Sequence, residues 1–169
     1  MEKRSVETIL RHFNEAGVRY LVVGGMAVVA HGYVRFTADF DLMLDLENEE
    51  NVRLALNALK NEGYAPRIPV SIEMFADGET RKNWHEQRNL LVFSLWSDRH
   101  AQTEIDIFVF NPLDFTAAFA RSELKHSASG IAMRVVALPD LLHLKAEAGR
   151  PKDLLDIQYL QRLPQEEKP

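Results

Sequence analysis

Acids with a spacing suited to metal chemistry stand out first. Asp39 and Asp41 lie one residue apart in the apolar run Asp39-Phe40-Asp41-Leu42-Met43-Leu44. A β-strand sends successive side chains to opposite faces. Phe40, Leu42 and Leu44 therefore share the face that enters a core. Asp39 and Asp41 share the other, with Cα atoms roughly 6.5–7 Å apart. Unpaired, two such carboxylates raise each other's pKa and oppose folding. A divalent cation reverses that sign, and Mg²⁺ commonly takes one or two carboxylates together with water and substrate phosphates. A third candidate comes from Glu104-Ile105-Asp106-Ile107-Phe108-Val109. Here Ile105, Ile107 and Val109 alternate with Glu104, Asp106 and Phe108, and an adjacent antiparallel strand would set Asp106 beside the first pair. Three carboxylates on neighbouring strands can hold two metals ~3.5–4 Å apart, which clamps both oxygens of a phosphoryl displacement. Glu104 is the rival third ligand. Asp106 is preferred because β-branched residues on both sides fix its direction. The plainer alternative is that Asp39 caps a turn and Asp41 pairs with Arg35, and an isolated Asp-x-Asp does not exclude it.

Gly24-Gly25 adds weight to the metal reading. It ends the apolar run Tyr20-Leu21-Val22-Val23 and begins a helical one, and thirteen residues separate Gly25 from Asp39. A strand-to-helix turn bares backbone N–H groups, and glycine lets a phosphate approach them. The whole stretch VVGGMAVVAHGYVRFTADFDLML resembles the nucleotidyltransferase fold of the DNA polymerase β superfamily. That signature is a hydrophobic strand, Gly-Gly or Gly-Ser, an interval, Asp-x-Asp, and a third acid on a later strand. The run Arg35 to Asp41 is similar to a small bacterial branch that includes the AbiEii-type toxins. That branch tends to carry a C-terminal helix with a lysine and then Arg-x-Lys-Asp, matched here by Lys145, Arg150, Lys152 and Asp153. The likeness covers residues 20–45, 103–110 and 138–160, and nothing in 62–100.

The resemblance implies specific roles. Gly24 and Gly25 hold a triphosphate. Asp39 and Asp41 bind the metal that carries the nucleotide. Asp106 completes a second metal site and helps deprotonate the acceptor hydroxyl. Lys145 neutralises phosphate charge, although its pattern alone fits a solvated helix lysine equally well. Arg35 and Thr37 contact phosphate or brace the strand. The activity implied is Mg²⁺-dependent transfer of a nucleoside monophosphate from an NTP to RNA, a protein or a small molecule, with a toxin–antitoxin pair and a cognate antitoxin among the contexts. Two other readings are a non-catalytic nucleotide- or partner-binding module on the same fold, and a two-metal hydrolase with no need for the glycines. Lys152 and Asp156, at i,i+4, read as a surface pair.

The elements that would position these residues follow from periodicity. Residues 3–16 form a helix capped by Gly17. Residues 19–25 form a strand and turn, and 26–32 a short helix. A strand covers the Asp-x-Asp, and 47–61 an amphipathic helix. Residues 63–70 hold two prolines and suit an edge. Residues 77–89 read as a polar loop with one helical turn. Residues 89–96 and 103–110 form an antiparallel strand pair, 111–124 a short helix, and 129–138 a strand. Helices opened by Pro139 and Pro151 close the chain. The fold class expected is α/β (α+β): one domain over 1–163 with a mixed sheet flanked by helices, and a frayed tail at 164–169.

Composition narrows the class further. With 169 residues, 46% apolar and 27% charged, the chain suits one soluble domain. A net charge of −5 argues against a generally basic nucleic-acid binder. Arg67, Arg81, Lys82, Trp84 and Arg88 make the one basic–aromatic segment, read more simply as a solvated loop. The chain has no cysteine, so thiolate metal sites are excluded. The six histidines, His12, His31, His85, His100, His126 and His143, show no zinc-ligand spacing and read as surface or packing residues. No apolar run reaches the ~20 residues of a membrane span, and a cytoplasmic protein is expected.

Overall fold

The computed structural model describes residues 1–162, so the expected frayed tail lies outside the described residues. The chain runs α1 (Lys3–Glu15), β1 (Tyr20–Val22), α2 (Gly24–Ala30), β2 (Asp39–Leu44), α3 (Glu49–Asn61), β3 (Ala65–Pro66), a 3₁₀ turn (Ile72–Ala76), α4 (Gly78–Arg88), β4 (Val92–Trp96), β5 (Glu104–Phe108), α5 (Phe115–Ala120), β6 (Glu123–His126), β7 (Ala132–Val135), α6 (Leu138–Ala148) and α7 (Pro151–Leu160). Among the described residues seven strands form one mixed sheet in the order β3-β4-β5-β2-β1-β7-β6. This is the single α+β domain with a mixed, helix-flanked sheet that the periodicity predicts.

Alternation along β2 and β5 sorts their residues as expected. Phe40, Leu42, Leu44, Ile105 and Ile107 are fully buried. On the same face Tyr20 pairs with Leu44, and Phe13 of α1 meets Tyr20 with ring centroids 5.4 Å apart. Val6, Ile9, Leu10 and Phe13 form the buried stripe of α1. Full burial of side chains this size stabilises by about 1.5–3 kcal/mol each. The carboxylates occupy the opposite face, where α2 packs on β2 and against α6.

Three expectations change. First, β5 pairs with β2 in parallel, not antiparallel. The chain leaves β2 through α3, crosses to β3 at the sheet edge and returns through antiparallel β4, so β5 ends parallel to β2. Facing is independent of strand direction, so Asp41 still sits opposite Asp106 in the register. Second, residues 78–88 form a helix of eleven residues rather than a loop with one turn. Asp77 caps α4 by accepting from the Thr80 N–H at 2.7 Å, and Asn89 closes it in the left-handed region at φ 50°. The helix is held by two side chains and not by a stripe. Trp84 stacks on Phe93 at 5.4 Å, and buried Arg81 donates to the carbonyls of Phe75, Ala76 and Leu46 at 2.6–2.9 Å. Third, residues 123–126 leave the expected helix and form β6, an edge strand antiparallel to β7. Among the described residues no helix is long and apolar enough to cross a membrane.

Because Asp77 is exposed and acts through one cap, Asp77→Ala should cost about 1 kcal/mol. The midpoint of urea unfolding should fall with its slope unchanged.

Candidate active site

Ser94, Asp106 and Asp41 form one row across β4, β5 and β2, because the register pairs Ser94 with Asp106 and Asp106 with Asp41. Asp39 lies one step back on β2, opposite Glu104. Glu104, the rival ligand, is held by Arg67 through contacts of 2.8 and 3.2 Å. Asp106 accepts from the Ser94 hydroxyl at 2.5 Å. Asp41 accepts from the Gly25 N–H at 3.3 Å. The Asp39 carboxylate has no protein partner among the described residues. None of the three is matched to a cation, and Arg35 binds elsewhere, so the cap-and-ion-pair alternative does not hold.

The electrostatic cost is visible in the acids themselves. Burial pushes Asp41 up to about 6, and Asp106 and Asp39 add to that rise while the Gly25 N–H opposes it. Asp106 is also raised, first by burial and then by Asp39 and Glu104, against the Ser94 hydrogen bond. Among the described residues no three His, Cys, Asp or Glu side chains already close around one point as a metal cage. An all-protein cage is not what Mg²⁺ ordinarily uses, since water and phosphate oxygens complete its shell. Hard oxygen donors without a counter-charge fit that ion, and Asp39, Asp41 and Asp106 are the residues that would hold it.

The glycines have a local reason that the sequence alone does not reveal. Gly24 sits at φ +60°, and a Cβ there would lie 1.9 Å from Asp41 Oδ2. A Cβ on Gly25 would lie 2.2 Å from Thr37 Oγ1. Bare backbone at the β1–α2 turn is thus required for Asp41 and Thr37 to pack against it. Thr37 lines the cleft beside the turn, and its hydroxyl donates to the Asp39 carbonyl at 3.4 Å.

The C-terminal helices supply a buried ion network. Lys145 on α6 is only 4% exposed, and its Nζ lies 2.7 Å from Asp153 and 2.8 Å from Asp156 of α7. It is not a solvated helix lysine. Asp156 is 1% exposed and also takes both ends of the Arg35 guanidinium at 2.7 and 2.9 Å. The expected Lys152–Asp156 surface pair is therefore replaced by a buried bidentate link between α7 and the loop before β2. Arg150 closes on Asp153 at 2.6 Å, and together with Lys145 it holds Asp153 below the usual carboxylate range despite burial. Three cations face two carboxylates, and the excess positive charge lies toward the acid row: Lys145 opposes the rise in Asp41.

A cleft of about 570 Å³ brings these parts together. Its walls include Gly24, Gly25, Arg35, Thr37, Asp39, Asp41, Asp106 and Lys145, the residues to which the resemblance assigns roles. Sequence reasoning missed Ser94, Asp156 and an apolar wall that contains His85 and Phe110. Ser94 had a faint signal as the polar residue inside an apolar strand. Asp156 had none that separates it from a surface acid.

No protein-family model matches the chain, and no curated protein matches it. Solved structures do. A lincosamide antibiotic adenylyltransferase, LnuA, solved with lincomycin bound, aligns with a TM-score of 0.59 at 17% identity, covering 96% of this chain and 98% of that one. A proposed nucleotidyltransferase from Thermotoga maritima aligns with a TM-score of 0.59 at 13% identity, covering 94% and 91%. The antibiotic-resistance factor ANT(2'')-Ia, in complex with adenylyl-2''-tobramycin, aligns with a TM-score of 0.55 at 14% identity, covering 93% and 85%. The chain has the nucleotidyltransferase fold.

Two stability effects follow. Asp41 is raised in the folded state, so its charge destabilises the ligand-free protein. That penalty is absent below pH ~4, grows as the pH rises toward 6, and is complete above it. Asp41→Asn should therefore raise stability by about 2–3 kcal/mol at pH 7.5, and the gain should vanish near pH 4. Thermal melts of both proteins across that range check it. Asp156→Ala, by contrast, strands Arg35 and leaves Lys145 with Asp153 alone, and should cost about 3–5 kcal/mol. In a double-mutant cycle, Arg35→Ala should cost much less in the Asp156→Ala background than in wild type.

Proposed function

We propose that this protein is a Mg²⁺-dependent nucleotidyltransferase that moves a nucleoside monophosphate from an NTP to an acceptor hydroxyl. The observation that carries this reading is the row of carboxylates on adjacent strands, unmatched by cations and bordered by the Gly24-Gly25 turn. A cluster that opposes folding needs a compensating ligand, and a metal-bound triphosphate is one that fits its donors. The fold shared with LnuA and ANT(2'')-Ia supports the same chemistry.

In this mechanism the acceptor oxygen forms a bond to the α-phosphorus. The bond from that phosphorus to the bridging oxygen of the β-phosphate breaks, and pyrophosphate leaves. Asp106 takes the hydroxyl proton, a role suited to a carboxylate held above its ordinary range. Bound Mg²⁺ supplies charge neutralisation and orients phosphoryl oxygens. Gly24 and Gly25 leave room for the triphosphate beside their backbone, with Thr37 at the same edge. Arg35 acts as a brace through Asp156, in line with the strand-bracing role and not the phosphate contact. Lys145, fixed by Asp153 and Asp156, places a counter-charge near the phosphates. Little covalent chemistry is asked of the protein, and positioning and electrostatics carry the rate.

An RNA acceptor, and with it the toxin reading and its antitoxin, draws little support from residues 66–88. Arg67 is taken by Glu104, Arg81 is bound to backbone carbonyls and Trp84 is in the core, which leaves Lys82 and Arg88, both exposed, as the remaining basic side chains of the five.

Mass action provides the binding test. Millimolar ATP with Mg²⁺ should raise the melting temperature by several degrees, and EDTA should abolish the rise. Asp39→Asn should keep the fold yet lower pyrophosphate release with a competent acceptor by about a thousandfold or more. Binding without pyrophosphate release from any acceptor would favour the non-catalytic module, and full activity in Asp39→Asn would sink the metal role.

A further inference from the structure

We propose that the wall formed by His85, Leu91, Phe108 and Phe110, with Phe36 lining the same cleft, is the acceptor subsite, and that it takes a small neutral or cationic hydroxyl compound with an apolar or aromatic face. The proposal rests on the nucleotidyl-transfer reading for the word acceptor, and on independent geometry for the site itself. Asp106, Phe108 and Phe110 follow one another at strand spacing, and all three line the cleft. The apolar wall thus continues directly from the carboxylate assigned the acceptor proton. The sheet order puts β5 and β1 on opposite sides of β2. A triphosphate over the Gly24-Gly25 turn at the end of β1 leaves the β5 side open for the second substrate.

Several features of this wall call for a ligand. Leu91 and Phe110 are each 62% exposed and Phe36 is 79% exposed, so large apolar groups meet water at the mouth of one cleft. The His85 ring stacks on Phe110 at 5.2 Å and 12° between planes. Its Nδ1 is buried and has no hydrogen-bond partner among the described residues. That nitrogen is closed to water, so a ligand meets the ring through the part of it that lines the cleft. Charge selects against a second polyanion beside the triphosphate. Arg35, Lys145 and Arg150 are engaged with Asp153 and Asp156, which leaves Lys152 as the lining cation with no partner among the described residues. Glu147 lines the same cleft. RNA binding needs several phosphates neutralised, and that surface does not offer it. A compound that stacks a flat or apolar face on Phe110, and presents a hydroxyl to Asp106, matches the wall and the carboxylate it adjoins.

Saturation-transfer NMR on the full chain tests this, with millimolar p-nitrophenyl β-glucoside and amine-bearing aryl glycosides as probes and methyl β-glucoside and a single-stranded RNA as comparisons. The aryl protons of at least one probe should receive saturation, with little transfer to methyl glucoside. Phe110→Ser, an exposed position where folding is not at stake, should weaken that probe about tenfold. His85→Ala removes the ring that stacks on Phe110 and should weaken it about threefold. No transfer to any aryl probe, unchanged affinity in Phe110→Ser, or tighter binding of RNA would each overturn the proposal. So would loss of the ATP·Mg²⁺ melting shift in Phe110→Ser, which would make the wall a nucleobase platform. If wild type shows no ATP·Mg²⁺ shift but binds the aryl probe as described, the nucleotidyl-transfer reading fails while the small-molecule site stands.

Discussion

Repulsion among Asp39, Asp41 and Asp106 is the constraint around which the rest of the molecule is arranged. The sheet register places Asp41 directly beside Asp106 on one partly buried face. Each carries a charge that burial penalises, and neither is offered a protein cation. The apolar face of the same strands makes the arrangement tolerable. Phe40, Leu42, Ile105 and Ile107 sit fully in the core and fix both strands in register, so the acids have no freedom to move apart. Stability is taken from one side of the sheet and spent on the other, as expected where a site must be poised for charge that arrives with a ligand.

The neighbouring elements make sense against that constraint. The β1–α2 turn has to come close enough for the Gly25 N–H to reach Asp41, and only glycine at 24 and 25 leaves that space. Across the cleft, α6 and α7 bring cations near the acids but bind them first to Asp153 and Asp156. Lys145 and Arg35 are thereby held at defined positions and kept from collapsing onto the carboxylate row. The local field is positive enough to temper the rise in Asp41 and not enough to quench it. Removal of one partner from a network this buried leaves an uncompensated charge, so its members stand or fall together.

Much of this was legible because strand periodicity does not depend on where a strand ends up. Alternation alone separated Asp39, Asp41 and Asp106 from their buried neighbours, and it held even though β5 runs parallel to β2 and not antiparallel. The α4 helix was not legible. Trp84 and Arg81 anchor it singly, and residues 78–88 show no repeating apolar pattern to read. β6 escaped because an edge strand with one side to solvent carries a weak pattern of its own.

By itself, the sequence determined which residues face which way within each element: the two core-facing strand faces, the acids opposite them, the glycines at the end of β1 and the proline-opened helices at the C-terminus. Local sterics and period suffice for that. Tertiary structure decided which of these meet. It gave Arg35 to Asp156 instead of Asp41, buried Lys145 between two acids, took Glu104 out of contention through Arg67, and set His85 against Phe110 at the edge of the cleft. Those pairings join residues as far apart as 35 and 156, and no short-range rule encodes them, because the competition among several possible counter-charges is resolved only when the sheet order brings particular ones within reach.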